Sequence, residues 1–392
     1  MKKILIATRD LNVGGVQKSL VELLKNIEGE INAGEYVVDL LLLNDNGALR
    51  DQISNKINII KPNKCFRKFG VSSAEAKKEK KLFLTRTISA LWSKIFSNKL
   101  PLKIALKKQC EIGEYDLAIS YAVTINKHSM YAGWAELVLN KCSAGKKVVY
   151  VHNDYVNSAL NNKNTYGLLK RFDNVWFVSK SCEKNFLDNY SEFNGKTNFL
   201  YNFVNGELVK NWAEEKSDYV KGEGLNIVTV SRLSPEKGHL RILNVLKALK
   251  DDGYKFKWHI VGDGPIKNDI ENRVIEWGLQ DFVYLYGEKK NPYPYIKNAD
   301  LFLLGSYNES FGLVLIESMI LQVPVFSTNT IAAMEIVGEN GFVCENNEKS
   351  IYNELKNILN NPQCLLRYKQ NLQTYKYENE KIKEKFKRLI NE

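Results

Sequence analysis

Two glutamates, Glu309 and Glu317, lie close together in Glu309-Ser-Phe-Gly-Leu-Val-Leu-Ile-Glu317. The run Ala299-Asp-Leu-Phe-Leu-Leu304 before them reads as a buried strand, and a short loop carries Glu309. Gly312 opens a segment that reads as a helix, so the second carboxylate falls about two helical turns along. Both can then face the carboxyl end of a parallel sheet, where such folds bind ligands. The free amides of the helix start, with Gly312 allowing close approach, suit a phosphate. A carboxylate able to grip two hydroxyls, beside a phosphate site, describes a sugar nucleotide.

Arg232-Leu-Ser-Pro-Glu-Lys-Gly-His239 follows another apolar run, Asn226–Val230. Arg232 by its planar fork and Lys237 as a point charge could neutralise a diphosphate, although a solvated loop with a proline turn and a cap reads equally well. Gly14-Gly15-Val-Gln17 leaves the first strand, and two glycines there let backbone amides approach a phosphate. It lacks the G-x-G-x-x-G pattern and the later acidic residue of a dinucleotide site. Gly262-Asp-Gly-Pro265 is either plain turn chemistry or a backbone contact near the nucleotide. His152, at the end of Lys147–Val151, is placed to meet a sugar hydroxyl or to be satisfied structurally.

These residues need strands and helices to hold them. Short apolar runs alternate with longer amphipathic ones, the pattern of β/α architecture with parallel sheets. Strands are expected at Ile4–Thr8, Val37–Leu43, Leu117–Tyr121, Lys147–Val151 and Val175–Val178, with a first helix over Gln17–Ile27. After the polar stretch 205–224 a second set follows: Asn226–Val230, Lys257–Val261, Val283–Tyr286, Leu301–Leu304 and Val323–Ser327. Helices are expected at Leu240–Lys250, Ile266–Trp277 and Gly312–Leu321, and again from Ile351 onward. Two doubly wound α/β domains result, 1–205 and 206–372, with 373–392 a C-terminal helix packing back on the first.

The bulk numbers agree. At 392 residues the chain is long enough for two cores, and 44% hydrophobic with 26% charged residues is ordinary for a globular protein. No apolar stretch reaches the length of a membrane span. Six scattered cysteines without a C-x-x-C pair fit reduced thiols of a cytoplasmic protein. No Asp-x-Asp ends a strand and the four histidines lie far apart, so neither a Mg²⁺ nor a zinc site is indicated.

The net charge of +11 is concentrated in residues 61–108, where Glu75 and Glu79 are the only acidic residues. A general nucleic-acid surface is therefore not expected. Within that segment Leu82–Phe96 is apolar at helical spacing and flanked by lysines. It suits an anionic membrane surface, or a domain helix whose apolar face joins the core.

Taken in order, these pieces resemble the GT-B retaining glycosyltransferases of family 4, also called glycosyl transferases group 1. The set comprises the glycine-rich first loop, the strand ending in His152, Ser179 in Phe-Val-Ser-Lys, and Asn202 in Tyr-Asn-Phe-Val. Val-Ser-Arg-Leu-Ser-Pro-Glu-Lys-Gly, Val-Gly-Asp-Gly-Pro and Glu-Ser-Phe-Gly…Glu complete it. The resemblance implies two Rossmann-like domains facing a central cleft. It implies that Arg232 and Lys237 hold the donor diphosphate, Glu309 lies beside the transferred sugar and Glu317 takes the ribose hydroxyls. Amides near Phe311 and Gly312, with those of Gly14 and Gly15, would complete the phosphate cradle. His152 would lie near the sugar, and the base near Gly262 and Tyr284–Gly287. The chain departs from the pattern at Ser120 and Gln17, which bears on the acceptor side.

The implied reaction is metal-independent transfer of a hexosyl unit from a nucleotide diphosphate sugar, UDP-linked by family habit, with retention and without a cofactor. Double displacement needs a carboxylate nucleophile facing the anomeric carbon, and the resemblance supplies none. A same-face, ion-pair-like substitution is the expected course. The expected acceptor is a lipid-linked surface polysaccharide, capsule or exopolysaccharide, at the inner face of the cytoplasmic membrane. A soluble acceptor, or a nucleotide-sugar epimerase of like architecture, is the alternative.

Overall fold

The computed structural model describes residues 1–123 and 127–391. The chain divides into two compact units, one of Met1–Phe203 with the residues from Asn379 on, the other of Val204–Glu378.

In the first unit seven strands form one parallel sheet: β1 Lys2–Thr8, β2 Tyr36–Leu42, β3 Asn58–Ile60, β4 Gly113–Ser120, β5 Cys142–Val151, β6 Asn174–Phe177 and β7 Thr197–Phe199. Their order is β3-β2-β1-β4-β5-β6-β7. Ile4, Leu5 and Ile6 are all fully buried, as a parallel strand covered on both faces requires. β3 and β7, three residues each, were not expected from the sequence; they lie at the two edges, where short, partly exposed strands give little apolar signal.

The helix Asn379–Asn391 belongs to this unit. It buries Ile382, Phe386, Leu389 and Ile390 along one stripe, with Phe386 6.1 Å from the Trp176 ring. Lys383 and Lys387 reach Glu30 Oε1 at 3.0 and 2.6 Å. Burial opposes the charge on Glu30, yet the two ammonium groups hold its carboxyl below the ordinary value.

The second unit holds a six-stranded parallel sheet: β8 Leu225–Val230, β9 Phe256–Val261, β10 Val283–Gly287, β11 Leu301–Leu304, β12 Val325–Thr328 and β13 Gly341–Cys344. The order is β10-β9-β8-β11-β12-β13. Ile227, Trp258, Ile260 and Leu303 pack against Leu243, Leu246 and Leu249 of helix His239–Asp251 and against Ile351 and Leu355 of helix Glu348–Asn360. Two doubly wound parallel sheets are thus present, as the alternation of runs predicted.

The differences are local. β12 begins at Val325 rather than Val323, after Pro324, which has no N–H to give a ladder. The polar stretch after residue 205 contains a short helix, Gly206–Trp212, capped by the Asn205 side chain on the Leu208 amide at 2.9 Å.

Candidate active site

β8 and β11 are neighbours, although the chain passes through β9 and β10 between them. The loops leaving their carboxyl ends therefore flank the point where strand order reverses, the usual ligand crevice of such a sheet. They carry Arg232 and Lys237 on one side and Glu309 on the other.

The first loop is tied down by backbone. The Leu233 amide donates to the Asp263 carbonyl at 2.9 Å. Gly262, at φ +149°, lies so close that a Cβ would sit 1.9 Å from the Ser231 carbonyl oxygen. A Cβ on Gly264 would be 2.2 Å from that of Leu233. Close packing against the Arg232 loop thus accounts for both glycines. A turn at Pro235–Lys237 then leads to Gly238, at φ +73°, whose Cβ position is 2.0 Å from the Gly305 carbonyl oxygen. The two loops touch backbone to backbone there.

Across that contact Lys237 Nζ lies 2.6 Å from Glu309 Oε2, with both side chains about a fifth exposed. The Tyr307 amide donates to the Glu236 carbonyl at 2.8 Å. Arg232 is exposed and has no ion pair among the described residues.

One residue of this site escaped the sequence reading. Arg241, 3% exposed, inserts its guanidinium under the second loop. Nε and Nη2 donate to the Gly305 carbonyl at 2.9 and 2.6 Å, Nη2 also to Ser306 O at 2.8 Å, and Nη1 to Asn346 Oδ1 at 2.6 Å. The same cation lies 3.9 Å from the Tyr307 ring centroid. Thr328 Oγ1 adds a donor to Ser306 O at 2.6 Å. The available signal was an arginine beside Ile242 and Val245 on the inward stripe of a helix, where a charge needs a partner.

Gly312, at φ +78°, turns the chain into helix Leu313–Ile320, whose first turn holds no acidic residue. The Leu315 amide donates to the Gly312 carbonyl at 2.8 Å, and no carboxylate of the first turn competes with an anion for the helix start. Phe311 is buried, and a Cβ on Gly312 would lie 2.9 Å from Leu315 Cδ1 and 3.5 Å from Glu309 Cγ. Glu317 accepts from the Tyr293 hydroxyl at 3.2 Å. Beneath the loops, His259 bridges Asn226 Oδ1 at 3.2 Å and the Tyr286 hydroxyl at 3.1 Å, and burial pulls its pKa down to about 4. The Gly262 amide donates to Gly287 O at 2.8 Å.

In the first unit the order reverses between β1 and β4. Gly14 is extended and caps helix Gly15–Asn26; a Cβ there meets only the Gln17 side chain, and at Gly15 nothing. Backbone geometry does not demand either glycine. His152, after β5, stands 4.8 Å from the Tyr121 ring and 4.2 Å from that of Tyr150. Burial pulls its pKa down to about 3, and its Nε2 is buried without a hydrogen-bond partner among the described residues. It is a neutral imidazole with an unsatisfied nitrogen, of the kind a ligand hydroxyl would satisfy. Among the described residues no group of three or more His, Cys, Asp or Glu is arranged to hold a metal ion, and no helix is long and apolar enough to cross a membrane.

Residues 211–378 match the model of the glycosyl transferases group 1. The chain is 28% identical over 258 residues to an N-acetylgalactosamine-N,N'-diacetylbacillosaminyl-diphospho-undecaprenol 4-alpha-N-acetylgalactosaminyltransferase of Campylobacter jejuni, covering 65% of this chain and 68% of that one. It is 28% identical over 162 residues to the capsular polysaccharide biosynthesis glycosyltransferase CapM of Staphylococcus aureus, covering 40% of this chain and 43% of that one. The chain thus spans about two thirds of the first curated relative and under half of the second. Among solved structures, a TarM variant of S. aureus in complex with fondaparinux, alpha-GlcNAc-glycerol and UDP shares the fold. Its TM-score is 0.67 over 100% of both chains at 14% identity. Residues 211–378 are thus similar to the group 1 glycosyltransferases, and the chain shares the fold of solved GT-B glycosyltransferases.

Proposed function

We propose that the chain transfers a hexosyl unit from a UDP-sugar, with retention and without a metal ion, to a lipid-linked acceptor in surface-polysaccharide assembly. The observation that carries this reading is the Lys237–Glu309 pair, with Arg232 exposed on the same loop and without an ion pair among the described residues. A diphosphate entering there meets two cations, one of them already oriented by a carboxylate. Arg232 and Lys237 stabilise the charge that grows on the leaving UDP as the glycosidic bond breaks, a contribution made mainly in the transition state. The amides at Phe311 and Gly312 take phosphate oxygens. Glu317 accepts from the ribose hydroxyls.

Glu309 orients the transferred sugar. The departing phosphate oxygen receives the acceptor's proton on the same face, so configuration is kept without a covalent enzyme intermediate. A lipid-linked acceptor is supported by the Campylobacter relative, whose name includes a diphospho-undecaprenol, and by the basic segment 61–108. The setting proposed is the inner face of the cytoplasmic membrane, with the chain peripheral.

The test is binding and hydrolysis of UDP-, GDP- and dTDP-sugars in the presence of EDTA, wild type against Glu317→Ala. One UDP-sugar should bind wild type and bind the variant about tenfold more weakly or worse, the scale of losing hydrogen bonds to a charged group. Equal binding by both proteins would sink the ribose assignment. A requirement for added Mg²⁺ would sink metal independence.

A further inference from the structure

The second unit carries a cavity of about 380 Å³ away from the crevice. Its lining includes Phe342, Glu354, Asn357, Asn360, Asn361 and Cys364, all within that unit. Helices His239–Asp251 and Glu348–Asn360 run side by side, and hydrogen bonds mark which ends match. Asn346, just before the second helix, meets Arg241 beside the Gly305 loop, whereas Asn360 accepts from the Tyr254 hydroxyl at 2.9 Å just before β9 begins. The cavity therefore lies toward the amino ends of the strands. It is about 20 Å, the length of that 13-residue helix, from the loops proposed for the diphosphate. Its volume is that of a small-molecule site.

One helix face supplies most of the polar lining. Glu354, Asn357 and Asn361 follow at i, i+3 and i+7, the spacing of a single stripe, with Asn360 beside them. The side chains of Glu354, Asn357 and Asn361 make no hydrogen bond or ion pair with other described residues. Asparagine is a poor helix former, and its usual place at a helix end is a left-handed cap. Asn361 is at φ −138°, so capping does not account for it. Phe342 is the aromatic wall, packed against Phe326 and Tyr368 with ring centroids at 6.5 and 4.6 Å. Amides donate and accept, a carboxylate accepts at both oxygens, and a fixed aromatic ring offers a flat apolar face. Among the described residues no lysine or arginine lines the cavity, and its one charge is negative, which disfavours a phosphate.

We propose that this cavity is a second saccharide site, separate from the donor crevice, that holds one neutral pyranose ring of a glycan. The C–H face of the ring lies on Phe342, and its hydroxyls bond Glu354, Asn357 and Asn361. A role in holding surface polysaccharide during transfer rests on the function proposed above; the binding itself does not.

Cys364 makes the site its own reporter, since its half-buried thiol lines the cavity while Cys110 is exposed in the first unit. The test is the rate of Cys364 alkylation by iodoacetamide in the full chain, read by peptide mass spectrometry, with Cys110 as internal control. The probes are glucose, galactose, N-acetylglucosamine and N-acetylgalactosamine; glycerol, with hydroxyls but no ring, is the blank. At least one ring sugar should slow Cys364 severalfold and leave Cys110 unchanged. The effect should saturate with a Kd of roughly 1–10 mM, the range of a few neutral hydrogen bonds. Glu354→Ala and Asn357→Ala should each raise that Kd about fivefold, the scale of one hydrogen bond. Asn353→Ala, an exposed neighbour outside the lining, should not. Thermal melts verify that the variants fold, and either of the first two suffices.

No protection by any of the four sugars overturns the site. Equal protection by glycerol, or of Cys110, marks a solvent effect and overturns it too, as does undiminished protection in both cavity variants. Protection of Cys364 by UDP and by none of the sugars would make the ligand a nucleotide and overturn the saccharide. UDP-sugar binding by the same wild-type samples is a separate readout. Protection absent while UDP-sugar binds is failure here alone; protection present without UDP-sugar binding is failure of the transferase reading alone.

Discussion

Lys237 Nζ and Glu309 Oε2, 72 positions apart in the chain, meet at 2.6 Å between the loops that leave β8 and β11. The pair joins the cation proposed for the diphosphate to the carboxylate proposed for the sugar. An incoming diphosphate must compete with Glu309 for the ammonium or share it.

Removing each partner should therefore have opposite effects on UDP. Lys237→Ala should lower kcat/KM by about a hundredfold or more, the scale of one lost transition-state donor. Glu309→Ala should raise UDP affinity about fivefold by freeing the lysine, while transfer falls. Calorimetric UDP titration beside a transfer assay reads both. The pair itself, only partly buried, should contribute roughly 1 kcal/mol to stability in a double-mutant cycle.

Arg241 should matter to folding and to turnover alike. Arg241→Gln leaves the Gly305 and Ser306 carbonyls short of donors, with an expected cost of about 2–4 kcal/mol. Arg241→Lys keeps the charge but not the fork, and should recover less than half of that loss. Urea unfolding measures the first effect. The second readout is KM against kcat: a displaced Glu309 loop lowers kcat in Arg241→Lys with UDP binding nearly unchanged.

Gly238→Ala should be among the most damaging single-methyl changes. Its Cβ would fall 2.0 Å from the Gly305 carbonyl oxygen at a backbone φ of +73°. Both the clash and the left-handed backbone oppose it, costing more than about 1 kcal/mol together. Gly15→Ala, where nothing lies within 4 Å, should leave the melting temperature nearly unchanged and serves as the control.

Three buried histidines predict acid sensitivity. Burial pulls His152 to about 3 and both His239 and His259 to about 4, from 6.5. The folded values lie below the unfolded one, so the unfolded chain binds more protons as pH drops. Stability should be complete above about pH 6.5 and decline toward pH 4, by roughly 1.4 kcal/mol per pH unit for each imidazole that titrates only in the unfolded chain. Urea midpoints between pH 7 and pH 5 test this, and His259→Asn should flatten the slope by roughly a third. A midpoint independent of pH in that range would refute the buried-neutral assignment.

The sequence by itself determined the elements whose residues repeat a strong apolar pattern. β8, β9 and β11 lie inside the sheet with both faces covered, so their short runs are mostly apolar, and the helices between them show an apolar stripe. It also determined which residues carry charge near a strand end, and hence Arg232, Lys237, Glu309 and Glu317. β3, β7 and β13 were illegible because short edge strands leave half their side chains in water and need no apolar run. What only the tertiary structure decided is who meets whom. Arg241 looks like one more basic residue on an amphipathic helix until the fold brings the Gly305 and Ser306 carbonyls above it. Helix Lys80–Ile95 has a period that announces amphipathicity but no sign of which face turns inward. That sign is set by the polar partners Val71 and Lys68 supply to Arg86 and Ser89, contacts made by residues distant along the chain. Periodicity is a property of the local chain, whereas burial of a given face depends on the surface brought against it.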